Sequence, residues 1–146
     1  MTYFADLASF TYLGACSGDA RAIAWLEADH DHVRGDVHPD VIAALERLFL
    51  NAWQPITAAG WHDCSLCGRK ETDGPIMREI VGKHEMMGAS NLLVPAGNVI
   101  YAAPSLIIHY IEEHGYKPPD AFIEALSAID PTADEYRAEC ERIWYG

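Results

Sequence analysis

Apolar residues recur at three- and four-residue spacing from Val41 through Ile42, Leu45, Leu48, Phe49, Ala52 and Trp53, the period of a helix with one buried face. Pro39 and Asp40 suit its opening turn, where a missing N–H costs nothing and a carboxylate meets the positive end of the helix dipole. The apolar runs 91–94 and 99–102 flank the turn-rich tetrapeptide Pro95-Ala96-Gly97-Asn98, a pattern that predicts a β-hairpin. From Pro104 a second helix is expected through Leu106, Ile107, His109, Tyr110 and Ile111, closed by Gly115. Pro118-Pro119-Asp120 opens a third, with Phe122, Ile123, Leu126 and Ile129 facing inward. A fourth begins near Pro131, where Thr132 and Glu135 have the spacing of a capping box. Its apolar stripe is Tyr136, Cys140, Ile143 and Trp144.

The remaining chain is less periodic. The first 20 residues mix aromatics with Gly, Ser and Asp, and the six apolar-rich residues 21–26 fit a strand or a helix end equally. Residues 29–38 read as a polar loop, and 56–90 form the least regular stretch. No repeat, linker or low-complexity tract interrupts the 146 residues. The expected fold is therefore α+β, one domain over residues 1–146, with about four helices around a small antiparallel hairpin.

Charge narrows the function classes. Ten Lys and Arg against 22 Asp and Glu give a formal net charge of -12. Such a surface repels phosphate backbones and anionic headgroups, which argues against nucleic acid and membrane partners. It is compatible with a basic protein partner, although simple solubility is the plainer reading of the charge. No apolar run has the 18 or so residues of a membrane span. Leu13-Gly14-Ala15-Cys16 has the form of a lipoprotein cleavage site, but the residues before it carry no Lys or Arg, and Asp6 interrupts the apolar stretch. A cytoplasmic location is expected, where thiols stay reduced and a CxxC pair points to metal or redox work.

That pair lies in Gly60-Trp61-His62-Asp63-Cys64-Ser65-Leu66-Cys67-Gly68. Two cysteines separated by two residues turn both sulfurs toward one point, and Gly68 permits the tight bend. Zinc takes four ligands in a tetrahedron, and thiolates suit it. His62 lies two residues before Cys64, and alternate residues of extended chain share a face. His62, Cys64 and Cys67 are thus three candidate ligands. A redox pair would need a helix after the motif, whereas Arg69-Lys70-Glu71-Thr72-Asp73-Gly74-Pro75 makes a poor one. Covalent haem attachment would need His where Gly68 stands. Two unliganded thiols are the remaining reading.

The order knuckle, hairpin, then helix carrying a ligand resembles the treble-clef zinc arrangement, and that resemblance implies His109 as the fourth ligand. Treble clefs place two ligands on the helix, and only His109 is matched here. His114, five residues on, falls on another face of a regular helix and suits its C-terminus. It substitutes only if His109 faces away. The knuckle with Tyr101-x-Ala103-Pro104-x-Leu106-Ile107-x-His109-Tyr110-Ile111-x-x-His114-x-Tyr116-x-Pro118-Pro119 is also similar to a family of small, uncharacterised bacterial proteins, over roughly the C-terminal half. That similarity implies a shared fold and metal site, and no activity.

Two functions follow from the expected site of Zn2+ on His62, Cys64, Cys67 and His109. One is a non-enzymatic interaction module with structural zinc, acting through its acidic surface. The alternative is a small zinc hydrolase with three protein ligands, an open position and Asp63 as base. Other motifs give less. His84-Glu85 lacks the second histidine of a metalloprotease helix. His30, His32 and His38 sit in a polar loop, where solvated side chains are the simpler reading than a second metal. Trp25, Trp53, Trp61 and Trp144 read as core and rim, and Cys16 and Cys140 as small buried hydrophobes. No nucleophile elbow or phosphate loop occurs.

Overall fold

The computed structural model describes residues 2–12, 16–56 and 60–146. The Leu13-Gly14-Ala15 part of the lipoprotein-like motif lies outside the described residues. Strand β1 (Asp19–Ala22) is followed by helix α1 (Pro39–Asn51) and a hairpin of β2 (Met77–Ile80) and β3 (Lys83–Met86). A second hairpin, β4 (Asn91–Ala96) and β5 (Val99–Pro104), leads into α2 (Ile107–His114), α3 (Asp120–Ala128) and α4 (Asp134–Tyr145). The α+β class and the four helices stand as the apolar periodicity predicts.

The central sheet has the order β1-β5-β4, with β1 parallel to β5 and β4 antiparallel to it. Both strands of the expected hairpin are longer than 91–94 and 99–102, because Pro95 and Ala96 continue β4 and the turn contracts to Gly97-Asn98. Pro95 is tolerated there because β4 is an edge strand, where one face of the ladder needs no donor. The ambiguous residues 21–26 resolve into the end of β1 and a sharp turn at Ala24, whose φ is 64°. Only four residues pair as β1, alternating exposed and buried, and the wholly buried run 22–26 that follows has no period by which to mark where the strand ends.

Exposed strand edges invite unwanted pairing, and here both are covered. The N-terminal segment runs along β1, with Phe10 N–H donating to Ala20 O at 2.8 Å and Ala22 N–H to Ala8 O at 2.8 Å. On the far edge, Gln54 pairs both backbone groups of Asn91, and the Tyr136 hydroxyl donates to Leu93 O at 2.7 Å. That hydroxyl in turn accepts the Trp53 N–H at 3.3 Å. Helices α3 and α4 pack on β4, α4 reaches across β5 to β1, and α1 lies against α2 and α3. Trp25, Tyr110, Tyr116, Phe122 and Trp144 are among the largest fully buried side chains.

The hairpin β2–β3 falls within the stretch that reads as least regular, since Met-Arg-Glu-Ile and Lys-His-Glu-Met carry little apolar signal. Its turn places Val81 at φ 48° and Gly82 at φ 79°, the left-handed pair that matches strand twist. Arg78 of β2 anchors it. Its guanidinium binds Glu112 of α2 through two bonds of 2.7 and 2.9 Å and Glu46 of α1 at 2.8 Å. The expected capping box of α4 does not form. Thr132 turns back to Asp130 at 2.6 Å, and the helix starts after Ala133. The α1 terminus is capped instead by His38, whose Nδ1 accepts the Asp40 N–H at 3.1 Å.

Tyr136→Phe keeps the ring and removes the hydroxyl that serves both Leu93 and Trp53. We expect a loss of about 1–3 kcal/mol in chemical denaturation, with an unchanged denaturant slope. A neutral result would mean that water replaces the hydroxyl at this edge.

Candidate metal centre

The knuckle is built by local backbone geometry. Residues Ser65–Cys67 form one turn of 3-10 helix, with Cys67 N–H donating to Cys64 O at 3.3 Å and Gly68 leaving in the left-handed region at φ 63°. Both sulfurs therefore point to the same side. Two ties hold the turn in place. Ser65 Oγ accepts the Ala28 N–H at 2.9 Å, and His62 N–H donates to Gly88 O at 3.0 Å. Gly88 N–H reaches the buried Ser105 Oγ at 2.8 Å, just ahead of α2. A Cβ at Gly88 would run into the His62 carbonyl, and its φ of 93° disfavours any side chain. This glycine is the contact between the knuckle and the segment leading to the helix.

On α2 the imidazoles of His109 and His114 come together, with ring centroids 5.1 Å apart. His109 is the third residue of the helix and His114 the last, before Gly115 closes it at φ 64°. A regular helix would separate their directions, but a terminal residue has no following turn beside it, so its side chain can swing back across the helix end. Cys67 Sγ lies 3.1 Å from His109 Nε2 and 3.3 Å from His114 Nε2, and Cys64 Sγ lies 3.3 Å from His114 Nε2. One ligand atom from each of Cys64, Cys67, His109 and His114 falls within 4.8 Å of all the others. A zinc tetrahedron with these donors has edges of about 3.3–3.8 Å. The cluster is close to that size and is placed to hold a metal ion.

The electrostatics fit a cation. Burial holds both imidazoles below the ordinary histidine value, with His114 adding to the effect on His109. They are neutral near pH 7, with lone pairs free to donate. Burial pushes the Cys64 thiol up to about 12, so without positive charge it keeps its proton. A bound metal ion supplies that charge. Tyr110 packs beside both rings, at centroid distances of 6.1 and 6.5 Å.

Three of the four residues expected from the sequence meet here: Cys64, Cys67 and His109. His62 lies outside the group. Its backbone is pinned to Gly88, and its ring turns to Tyr12, with Nε2 3.4 Å from the hydroxyl. The two-residue alternation that suggested it holds for an isolated strand, but here the ring packs against Tyr12 instead. His114 takes the fourth place. Its signal was in the chain: Cys-x2-Cys with His-x4-His matches the spacing of two-cysteine, two-histidine sites. What obscured it was the 42-position separation of Cys67 from His109, far longer than in compact zinc fingers. The histidines of the polar loop disperse, His30 stacking on Tyr3 at 3.7 Å and His32 Nε2 lying 3.2 Å from His114 O. Among the described residues, the Cys64 group is the one found with metal-binding geometry.

Fold and cluster together define a small α+β protein with a two-cysteine, two-histidine centre able to hold a metal ion. The chain belongs to the family described as domain of unknown function DUF7919, which matches residues 2–127 and so contains all four cluster residues. No curated protein and no solved structure matches it. No helix among the described residues is long and apolar enough to cross a membrane.

His114→Ala should abolish stoichiometric metal binding, while His62→Ala should leave it intact, as read by elemental analysis of untagged protein. The reverse pattern would restore His62 to the site. Gly88→Ala should cost about 1–3 kcal/mol of stability through its backbone strain alone, measured by thermal unfolding of the loaded protein.

Proposed function

We propose that this protein is a non-enzymatic, cytoplasmic interaction module whose fold is pinned by a structural zinc ion on Cys64, Cys67, His109 and His114. The observation that carries the reading is the meeting of four donor atoms within 4.8 Å. Two thiolates and two imidazoles are a donor set that zinc favours, and four protein ligands complete its tetrahedron. No position then remains for a catalytic water, which is the reason the hydrolase alternative with Asp63 as base stands second. The knuckle and α2 come from distant parts of the chain, so an ion joining them stabilises tertiary structure directly. With that role for the metal, contact with a partner falls to the protein surface, whose net charge of -12 favours a basic one.

Protein purified without chelator should carry about one zinc per chain. Chelation or Cys64→Ser should lower the melting temperature by at least about 10 °C, given the size of structural zinc affinities. Zinc-free protein with the same melting temperature would remove the structural role. Acidification should weaken the site in a defined way. The Cys64 thiol, pushed up to about 12 by burial, gives up its proton on binding, while the imidazoles, held below their ordinary value, give up none near neutrality. Apparent affinity should thus fall by at least about tenfold per pH unit between about pH 8 and 6.5, read by competition with a fluorescent chelator. A pH-independent affinity would rule out thiolate ligation.

A further inference from the structure

Away from the metal centre, the start of α4, the end of α3 and the β4–β5 turn enclose a groove of about 510 Å³. Its floor is apolar, formed by Pro95, Ala125, Ile129 and Tyr136, with Ala128 at the lip. The small alanine side chains are what leave the space, since α3 and α4 are otherwise packed on the same sheet. Three carboxylates, Asp130, Glu135 and Glu139, stand around it, and no Lys or Arg is among its lining residues. Asp130 accepts two bonds from Thr132, which favour its ionised form. Glu139 is neutralised in part by Arg142 at 2.6 Å. The rim is therefore anionic over an apolar trough.

This arrangement selects among occupants. A drug-like small molecule is usually oriented by several convergent donors and acceptors, and here the polar groups are mainly rim carboxylates, none of them a donor. A second copy of the chain would bring another surface of strong negative charge against that rim. Nucleic acid is repelled for the same reason. An extended peptide with bulky apolar side chains between Lys or Arg residues complements both features at once. Its apolar groups fill the trough and its cations meet the rim.

We propose that this groove is a docking site for a short, basic, apolar-centred segment of a partner protein. The inference rests on the reading of the protein as an interaction module and gives that module its contact surface and ligand class. Family membership covers residues 2–127, so α4, which supplies Glu135, Tyr136 and Glu139, lies beyond the matched region. The docking surface thus combines the shared fold with an element outside the family match.

The test is isothermal titration calorimetry of the zinc-loaded full chain with the peptide Lys-Arg-Leu-Phe-Leu-Arg-Lys. A control peptide carries Gly at the three central positions. Saturable binding to the first peptide is expected, weaker by at least about tenfold for the control and for Ala128→Trp, which fills the lip from an exposed position. Glu135→Lys should weaken it several-fold, with circular dichroism confirming that both variants fold. Binding that Ala128→Trp leaves untouched, or that the control peptide matches, would overturn the groove while leaving an acidic interaction surface standing. Absence of any binding at low salt would overturn the groove, while the structural-zinc reading rests on its own melting-temperature test and is untouched. Self-association of the wild type that Ala128→Trp abolishes, seen by sedimentation without peptide binding, would give the groove to a second copy and overturn the proposal.

Discussion

Two sulfurs near residue 65 and two imidazoles near residue 110 must meet across a long intervening chain, and much of the architecture serves that meeting. Closing a loop of this length costs entropy that grows only slowly with length, by about 0.6 kcal/mol for each doubling. Insertion of a whole hairpin between knuckle and helix is therefore inexpensive. Precision is the harder requirement, because metal ligands must converge to within a few tenths of an ångström. The structure supplies it through backbone contacts. Gly88 touches both the knuckle and Ser105, and Ser65 locks the turn to the segment after β1. Arg78 ties the neighbouring hairpin to α1 and α2 by charge-assisted bonds, which are among the stronger ones available to a partly buried surface.

The same economy appears in the sheet. Only three strands carry the central layer, yet neither edge is open. One is lined by the N-terminal segment and the other by side chains of Gln54 and Tyr136. A small acidic protein thus presents few free backbone groups on that sheet. The fold separates the Cys64 cluster, which joins distant parts of the chain, from the groove between α3 and α4.

How much of this could be read from the sequence follows from the range of each interaction. The helices were visible because their apolar stripes and caps are local, as Leu45 and Leu48 or Phe122 and Leu126 show. The β4–β5 hairpin was visible from its turn residues. Strand β1 was hidden because it is only four residues long and its inward side chains are two alanines, Ala20 and Ala22, and β2–β3 because its outward face is polar and short. At the metal centre, Cys64 and Cys67 announced themselves by spacing, and His109 by its place on a helix after a hairpin. His62 and His114 were exchanged because long-range contacts decide both: the ring of His62 meets Tyr12, and that of His114, whose spacing alone was legible, meets the Cys64 and Cys67 sulfurs.

The half-buried carboxylate of Asp6 carries a different kind of consequence. It accepts the Ala24 N–H at 2.9 Å and the Tyr116 hydroxyl at 2.8 Å, a partner 110 positions along the chain. Strand β1 likewise finds its parallel neighbour only at residues 99–102. On a ribosome adding about 5–20 residues per second, the first segment emerges roughly 5 to 20 seconds before the groups that complete it. Its aromatic side chains Phe4, Phe10 and Trp25 pack on one another within the segment, but the Trp25 indole N–H waits that interval for its acceptor, Ala102 O. The N-terminal segment can therefore reach its final packing only once residues 99–116 have been made.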